Sequence, residues 1–156
     1  MVEAQTARRA IGEVVGSLVA SWNRHDASQF AALFAEDADF TNVFGMAVHG
    51  RWNIENMHAL IFKTMFKDSH LDVIDTSIRF IRPDIAAVDV RWKMTGARDP
   101  SGKEWPERTG LLNLLVCEAE RAWLIVVSHN MDLPPLERVR ELTEFAKTSS
   151  MGPVPR

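Results

Sequence analysis

Three polar side chains occupy positions from which they could act on a small molecule bound in a pocket. His58 follows Ile54 by four residues and precedes Ile61 by three, so it shares the apolar face of a predicted helix. An imidazole changes charge near neutral pH and can act as an acid or a base. Asn42 and Asn130 lie near the ends of predicted strands, where a carboxamide can orient a carbonyl or hydroxyl group. His58 is therefore the candidate catalytic residue, and the two asparagines are candidate orienting groups.

Each of these residues also has a purely structural interpretation. His58 could be a core histidine whose ring is bonded to a backbone carbonyl, since a buried imidazole without a partner costs about 1–3 kcal/mol. Asn42 could be a turn residue before Gly45. His129 and Asn130 could both satisfy backbone groups at a strand end. Neighbouring strand residues point to opposite faces, so only one of these two can face a pocket, and we favour Asn130.

Large aromatic side chains add to this polar set. They pack most often in cores or at rims, but in an apolar pocket they present flat surfaces to a ring system. The predicted ligand-binding residues are Trp22, Asn42, Phe44, His58, Trp92 and Asn130.

The residue pattern argues against a metal or a bound cofactor. The five histidines are at positions 25, 49, 58, 70 and 129, and no pair has the spacing that places two ligands on one helix face. No glycine-rich loop leads from a strand into a helix, so a nucleotide-binding fingerprint is missing. The single cysteine, Cys117, lies in an apolar strand, where burial raises the pKa of a thiol and lowers its reactivity. We expect no metal and no cofactor.

Composition and charge disfavour several classes of protein. The chain has 156 residues, of which 46% are hydrophobic and 25% charged, as in an ordinary globular domain. Its net charge of −3 disfavours nucleic-acid binding, which depends on excess positive charge. No apolar run approaches the ~20 residues of a membrane span. Residues 10–20 hold Glu13 among spaced apolar positions, which predicts an amphipathic helix rather than an export signal, so we expect a reduced, cytoplasmic setting.

Helices dominate the predicted first half of the chain. Apolar residues recur every three or four positions, which predicts a helix over residues 3–23. Asp26, with Gln29 three residues later, predicts the N-cap of a short second helix that ends at residues 36–37. The other elements predicted here are strands at 38–44 and 46–49 and a third helix at 50–66.

The second half is predicted to consist of strands. Val88, Val90 and Trp92 alternate with Asp89 and Arg91, the pattern of a half-buried strand. The predicted strands are 71–81, 85–95, 108–117 and 123–131, followed by a helix at 136–147 and a frayed tail. We divide the chain into one domain, residues 1–133, and a C-terminal helical extension with its tail, residues 134–156. The extension could cap the pocket, support a dimer or hang free.

The order of these elements predicts an α+β fold with helices on one face of an antiparallel sheet. Both faces of the last two strands are apolar, since Leu112 and Leu114 alternate with Leu111 and Leu115. One face can cover the helices, and a second copy of the chain is the simplest cover for the other. The sequence therefore predicts a homodimer through the sheet face.

Several runs of residues resemble a known superfamily, the nuclear-transport-factor-2-like proteins. The residues that carry the resemblance are SWNRHD at 21–26, ALFAEDA at 32–38 and, near the end, Trp123, Ile125, His129 and Asn130. The chain is most similar to small bacterial proteins of the SgcJ/EcaC type, related to DUF4440 and close to the SnoaL-like polyketide cyclases, over about residues 8–133. The resemblance implies a cystatin-like α+β fold, in which a cone-shaped, curved antiparallel sheet wraps around the N-terminal helices and a hydrophobic pocket. It also implies a homodimer.

Ketosteroid isomerases share this cone and allow a comparison residue by residue. They place an aspartate base on the first strand, where this chain has Asn42, and an amide cannot take up a proton at neutral pH. They also place a tyrosine on the first helix to stabilise an oxyanion; the matching position is Leu18, and the chain contains no tyrosine. The sequence therefore argues against ketosteroid-isomerase chemistry.

The predicted function is binding of a small, largely apolar, cyclic or polyketide-like molecule in a helix-walled pocket. Proton transfer of an isomerase, cyclase or dehydratase type would use His58 as acid or base, with Asn42 and Asn130 as orienting groups. The alternative is a non-catalytic dimerisation or scaffold module with a filled cone. A third interpretation, a hydrolase or dehydratase, pairs Asp39 with His58 unless Asp39 faces solvent. The sequence leaves open whether the protein is an enzyme.

Overall fold

Four helices and six strands make up the part of the chain that the computed structural model describes, residues 1–148; the predicted frayed tail, residues 149–156, lies outside it. The helices are α1 (Val2–Asn23), α2 (Ala27–Ala31), α3 (Arg51–Ile61) and α4 (Leu136–Thr148). The strands are β1 (Phe34–Thr41), β2 (Ala47–His49), β3 (His70–Arg82), β4 (Ile85–Thr95), β5 (Arg108–Ala119) and β6 (Ala122–Asp132). The predicted α+β class is confirmed.

The N-terminal helices follow the periodicity of the sequence. Ile11, Leu18 and Trp22 are buried along one face of α1, at the spacing of an amphipathic helix. Asp26 is the N-cap of α2, where its carboxylate accepts a hydrogen bond from the backbone N–H of Gln29 at 3.0 Å. The predicted cap is therefore confirmed.

The six strands form one curved, open sheet in the order β2-β1-β6-β5-β4-β3. Neighbouring strands are antiparallel except for β1 and β6, which run parallel. This parallel pair corrects the prediction of a purely antiparallel sheet. It arises because the last strand of the β3–β6 meander returns beside the first strand of the chain, which joins the sheet long before the meander begins.

The inner face of the sheet carries the core. On β4, Val88, Val90 and Trp92 are buried, whereas Asp89 and Arg91 are exposed on the outer face. Side chains of α1, α2 and α3 belong to the same buried cluster as this inner face. Burial of one large apolar side chain contributes about 1.5–3 kcal/mol, so this contact provides most of the driving force that holds the helices against the sheet.

The second predicted helix is wrong at its C-terminal end. α2 ends at Ala31, and β1 begins at Phe34, four residues before the predicted strand. The cause is pairing with β6: the Ile125 N–H donates to the Leu33 carbonyl at 2.9 Å, and Phe34 is fully buried opposite Ile125. Tertiary strand pairing outweighs the helical spacing of the local sequence here.

The third predicted helix is also too long. α3 ends at Ile61, and residues 62–68 continue as turns instead of reaching Phe66 as a helix. The Arg98 N–H donates to the Met65 carbonyl at 2.8 Å, so this segment bonds to the loop after β4. Phe66 is nevertheless buried, because the turns direct it back toward the core.

The outer face of the sheet is only partly polar. Leu111, Leu115, Cys117 and Val127 are half-buried there by their neighbours on adjacent strands. On α4, apolar side chains such as Phe145 are exposed.

Within residues 1–148, no helix combines the length and the apolar character that a membrane crossing requires.

Candidate functional site

A small cavity of about 60 Å³ lies between α3 and the inner face of the sheet. Five of the six predicted binding residues line it: Trp22, Asn42, Phe44, His58 and Asn130. The sixth, Trp92, is buried behind Asn130 and does not line it. Apart from Arg108, the remaining wall is apolar and comes chiefly from α3 and the turns after it, through Met57, Ile61, Met65 and Phe66, with Phe40, Val43 and Met94.

His58 is held by its own helix. The ring is fully buried, and Nδ1 lies 2.7 Å from the Ile54 carbonyl oxygen. A carbonyl oxygen only accepts hydrogen bonds, so Nδ1 carries the proton and Nε2 carries a free electron pair. Nε2 is buried and has no hydrogen-bond partner within residues 1–148. Both interpretations of this residue therefore describe it: the ring is bonded to a backbone carbonyl, and it forms part of the cavity wall.

The surroundings of His58 keep its ring neutral. Burial lowers the pKa of His58 from 6.5 to about 4, although the hydrogen bond to Ile54 acts in the opposite direction. Aromatic rings surround the imidazole, with centroids at 4.1 Å for Phe30, 4.9 Å for Phe40 and 6.0 Å for Trp22. At neutral pH the side chain is an uncharged acceptor in an apolar setting.

Asn42 is largely committed to a turn. Its Oδ1 accepts hydrogen bonds from the backbone N–H groups of Phe44 at 3.0 Å and Met46 at 2.9 Å, which closes the hairpin between β1 and β2. The oxygen of this carboxamide is therefore occupied by the backbone, even though Asn42 lines the cavity. Of its two interpretations, the turn accounts for the observed bonds.

Asn130 is positioned by Trp92. The indole Nε1 donates to Asn130 Oδ1 at 2.9 Å, so the amide nitrogen of Asn130 is the end left to donate to a ligand. The Trp92 ring lies directly against Gly110, where a Cβ atom would be 1.9 Å from Cζ2 of the indole. His129 points to the outer face beside Asn113, as expected from strand alternation.

Arg108 is a cavity residue that the sequence analysis missed. It lines the same cavity as His58, and its side chain is only 10% exposed. The signal was available: Arg108 opens β5 in the same alternation as Leu112 and Leu114, which both face the core. A charged residue at an inward position of a strand is unusual unless it has a partner.

Phe44 lines the cavity where its wall reaches solvent, at the cavity mouth, and Trp105 packs beside it without lining the cavity. Phe44 is 54% exposed and stacks on Trp105, with ring centroids 6.0 Å apart and an interplanar angle of 13°. Trp105 also lies 4.3 Å from the guanidinium carbon of Arg108. A flat aromatic surface therefore leads from the solvent to the charged group.

The pairing of Asp39 with His58 is wrong. Asp39 faces outward, and its carboxylate lies 2.7 Å from Nδ1 of His49. The register of β1 explains this placement, because Phe40 occupies the inward position beside it.

Other chemistry-bearing residues of the described chain lie away from the cavity. Across residues 1–148, no group of three or more His, Cys, Asp or Glu side chains is arranged to hold a metal ion. Burial, with a smaller contribution from Asp84, raises the pKa of the Cys117 thiol, in the predicted direction. Two larger surface grooves, of about 910 and 620 Å³, contain none of the predicted site residues.

The comparison with known families gives one match. A model of the SnoaL-like domain matches residues 15–110. No curated protein matches the chain at a significant level. Among solved structures, an uncharacterised protein with a cystatin-like fold from Caulobacter vibrioides is 28% identical, with a TM-score of 0.80 and coverage of 88% of this chain and 97% of that one.

Two solved structures with named activities are similar in fold. A candidate scytalone dehydratase from Novosphingobium aromaticivorans has a TM-score of 0.72 at 18% identity, covering 86% of this chain and 89% of that one. A type 2 hexachlorocyclohexane dehydrochlorinase has a TM-score of 0.77 at 10% identity, covering 85% and 89%. At these identities the likeness shows the fold alone. The family match spans more than half of the sequence, and the chain belongs to the SnoaL-like domain family.

Proposed function

We propose that this protein binds a small, largely apolar, cyclic or polyketide-like molecule in the cavity under α3, and that His58 exchanges a proton with it. One observation carries the proposal. His58 lines the cavity, and its Nε2 is a buried acceptor with no hydrogen-bond partner in residues 1–148. A buried polar atom without a partner costs free energy, which a ligand hydrogen would recover.

The protonation state of His58 determines its chemical role. Because its pKa is lowered to about 4, the ring at neutral pH is a base and not an acid. It would take a proton from a C–H or O–H group of the ligand and return it in a later step. A positioned base contributes about 10²–10⁴-fold in rate when its pKa lies near the working pH, and the lowered pKa makes His58 a weaker base than that. The Asn130 amide nitrogen would orient an oxygen of the same molecule.

Names of structural neighbours support a small-molecule function. The dehydrochlorinase is named for its action on hexachlorocyclohexane and the dehydratase for scytalone. The match of residues 15–110 to the SnoaL-like domain model also supports this class of function.

Binding can be tested at the imidazole itself with cyclohexanol, a small cyclic alcohol whose O–H can donate to Nε2. Nitrogen-15 spectra of the histidine rings at pH 7 should show Nε2 of His58 shifting as cyclohexanol is added, while Nδ1 stays protonated. His49 is the matched control, since it lies on the outer face. Absence of any change at His58 at millimolar cyclohexanol would contradict the binding proposal.

Proton transfer needs a separate readout. In heavy water, the protein should accelerate deuterium incorporation next to the carbonyl of cyclohexanone. His58→Phe should abolish the acceleration, whereas His49→Phe should retain it. Binding without any acceleration would leave a binding protein and remove the catalytic part of the proposal.

The second candidate is a non-catalytic scaffold with a filled cone. The size of the cavity favours it, because about 60 Å³ is far below the volume of most ligand pockets. The rings of Phe30, Phe34 and Phe40 fill much of the inner space. This candidate predicts that neither readout above responds to any added ring compound.

Assembly and subfamily complete the proposal. We infer a homodimer through the outer face of the sheet, supported by the half-buried Leu111, Leu115 and Val127. A native mass spectrum of the freshly purified protein distinguishes a dimer from a monomer and shows any retained small molecule. Membership of the SgcJ/EcaC-type group and a cytoplasmic location stay proposals that rest on the sequence.

A further inference from the structure

The cavity contains one charged side chain among its described lining residues, Arg108. The residue begins β5, and its side chain is nine-tenths buried. No carboxylate from residues 1–148 lines the cavity, so the charge at its inner wall is positive. The nearest counter-charge, Asp132, is 41% exposed at the end of β6.

The guanidinium of Arg108 is satisfied on one edge only. Asp132 Oδ1 accepts from Nε at 3.1 Å and from Nη2 at 2.9 Å. Nη1 occupies the opposite edge of the planar group, where it is buried and has no acceptor in the described chain. A buried guanidinium N–H without an acceptor is costly, and it is the kind of group that an incoming anion satisfies.

Aromatic packing holds this group in place. The guanidinium carbon lies 4.3 Å from the ring centroid of Trp105, 5.6 Å from that of Trp92 and 5.8 Å from that of Phe66. Such contacts stabilise the cation without satisfying its N–H groups. The guanidinium is thereby fixed before a ligand arrives, which lowers the entropy lost on binding.

A second donor lies on the same cavity wall. Asn130 uses its oxygen to accept from Trp92, which leaves its NH₂ group for a ligand. Two donors, one of them cationic, match the two oxygens of a carboxylate. A phosphate would call for a second cation, and the described lining residues supply none.

We propose that Arg108 recognises a carboxylate, so that the ligand is a small cyclic carboxylic acid. The carboxylate enters the cavity and accepts from Arg108 Nη1, and the ring rests on Phe44 and Trp105 at the mouth. The cavity volume of about 60 Å³ fits this arrangement, because it can hold the few atoms of a carboxylate but not a whole ring. This inference rests on the proposed function and specifies the substrate class of the same site.

The test compares benzoate with benzyl alcohol, which share a ring but differ in charge. Both are titrated at pH 7 while side-chain NMR signals of Arg108 and His58 are followed. Wild type should bind benzoate at least tenfold more tightly than benzyl alcohol. Arg108→Met should remove that preference and leave the affinity for benzyl alcohol within about twofold.

Asp132→Asn provides a second variant that leaves the cavity wall intact. It frees the guanidinium from its counter-charge and should tighten benzoate binding severalfold, even if Arg108→Met fails to fold. Glu107→Gln is the matched control, because Glu107 is half-exposed beside Arg108 in sequence and pairs with Lys93 instead. It should change the affinity for benzoate by less than twofold.

The outcomes separate the two proposals. Equal affinity for benzoate and benzyl alcohol, or benzoate binding unaffected by both Arg108→Met and Asp132→Asn, overturns carboxylate recognition. Binding of benzyl alcohol alone would then still support an apolar ligand pocket. If neither compound moves the signals of the cavity residues, the pocket itself is wrong and both proposals fail.

Discussion

The two sides of the sheet give a histidine opposite surroundings. On the inner side, His58 is fully buried, bonded through Nδ1 to a backbone carbonyl and free at Nε2. On the outer side, the His49 side chain is 72% exposed and pairs with Asp39 at 2.7 Å. The outer pair resembles a catalytic dyad in composition, but solvent screens it. The inner residue lacks a carboxylate partner, yet the Ile54 carbonyl fixes its tautomer and its Nε2 stays unpaired within residues 1–148.

The same contrast holds for the arginines. Arg91 on the outer face of β4 is exposed to water, whereas Arg108 on the inner face of β5 has an unpartnered, buried nitrogen within the described chain. On the inner side each polar atom needs a partner, because water cannot supply one. Arg108 Nη1 lacks an acceptor and His58 Nε2 lacks a donor, so the two groups call for different atoms of a ligand. The inner face is therefore where polar groups can select a ligand.

The largest expected effect is a pH dependence of stability that belongs to His58 alone. The unfolded chain takes up a proton on this residue below pH 6.5, but the folded chain resists it until about pH 4. Its contribution is therefore fully present above pH 6.5 and is lost as the pH falls toward 4. The loss in the free energy of unfolding amounts to about 3 kcal/mol.

Urea unfolding followed by tryptophan fluorescence between pH 4 and pH 8 measures this loss. His58→Phe should remove about 3 kcal/mol of pH dependence from the wild-type curve. His49→Phe is the matched control, because that side chain is 72% exposed on the outer face. Parallel curves for wild type and His58→Phe would show that His58 does not resist protonation in the folded state.

A smaller effect is expected where the inner face is tightly packed. Gly110→Ala would place a Cβ 1.9 Å from the Trp92 ring and so displace the indole that holds Asn130. Overpacking of this kind costs about 1–3 kcal/mol in urea unfolding. Gly16→Ala is the control on the exposed side of α1, where a Cβ meets nothing within 4 Å and should stabilise by about 0.5–1 kcal/mol. If Gly110→Ala and Gly16→Ala change the free energy of unfolding in the same direction, the expected difference in packing between the two positions is wrong.

The smallest effect is expected on the outer face. Asp39→Asn breaks the pair with His49, but both side chains are mostly exposed. The urea midpoint should therefore correspond to a change below about 0.5 kcal/mol. Unaltered deuterium exchange into cyclohexanone is expected as well. If Asp39→Asn lost the deuterium-exchange activity, Asp39 would have a role in catalysis after all.

Local patterns predicted much of the fold. Helix α1 and strand β4 follow from periodicity, and the predicted bounds of β4, residues 85–95, match the structure. The failures lie where a distant strand decides the outcome. Phe34 has helical spacing in the sequence but is paired with β6, and the turns after α3 bond to the backbone of Arg98.

The candidate site was predicted in part for the same reason. Alternation predicts that His129 and Asn130 point to opposite faces, and the structure places Asn130 on the inward one; the helical stripe predicts the inward position of His58. Whether an inward polar atom finds a partner depends on residues far along the chain. Arg108 is held by Asp132, which lies 24 residues away. Its free nitrogen cannot be deduced from the spacing around it.

Local periodicity and short runs of residues are enough to predict the α+β class, the inward faces of α1, α3 and β4, and the superfamily. The tertiary structure decided which nitrogen of His58 is free, that Asp39 faces away from it, and that Arg108 joins it at one small cavity. Hydrogen-bond satisfaction is a property of the whole packed molecule. A buried donor or acceptor becomes available for chemistry only when every neighbouring strand and helix has failed to supply its partner.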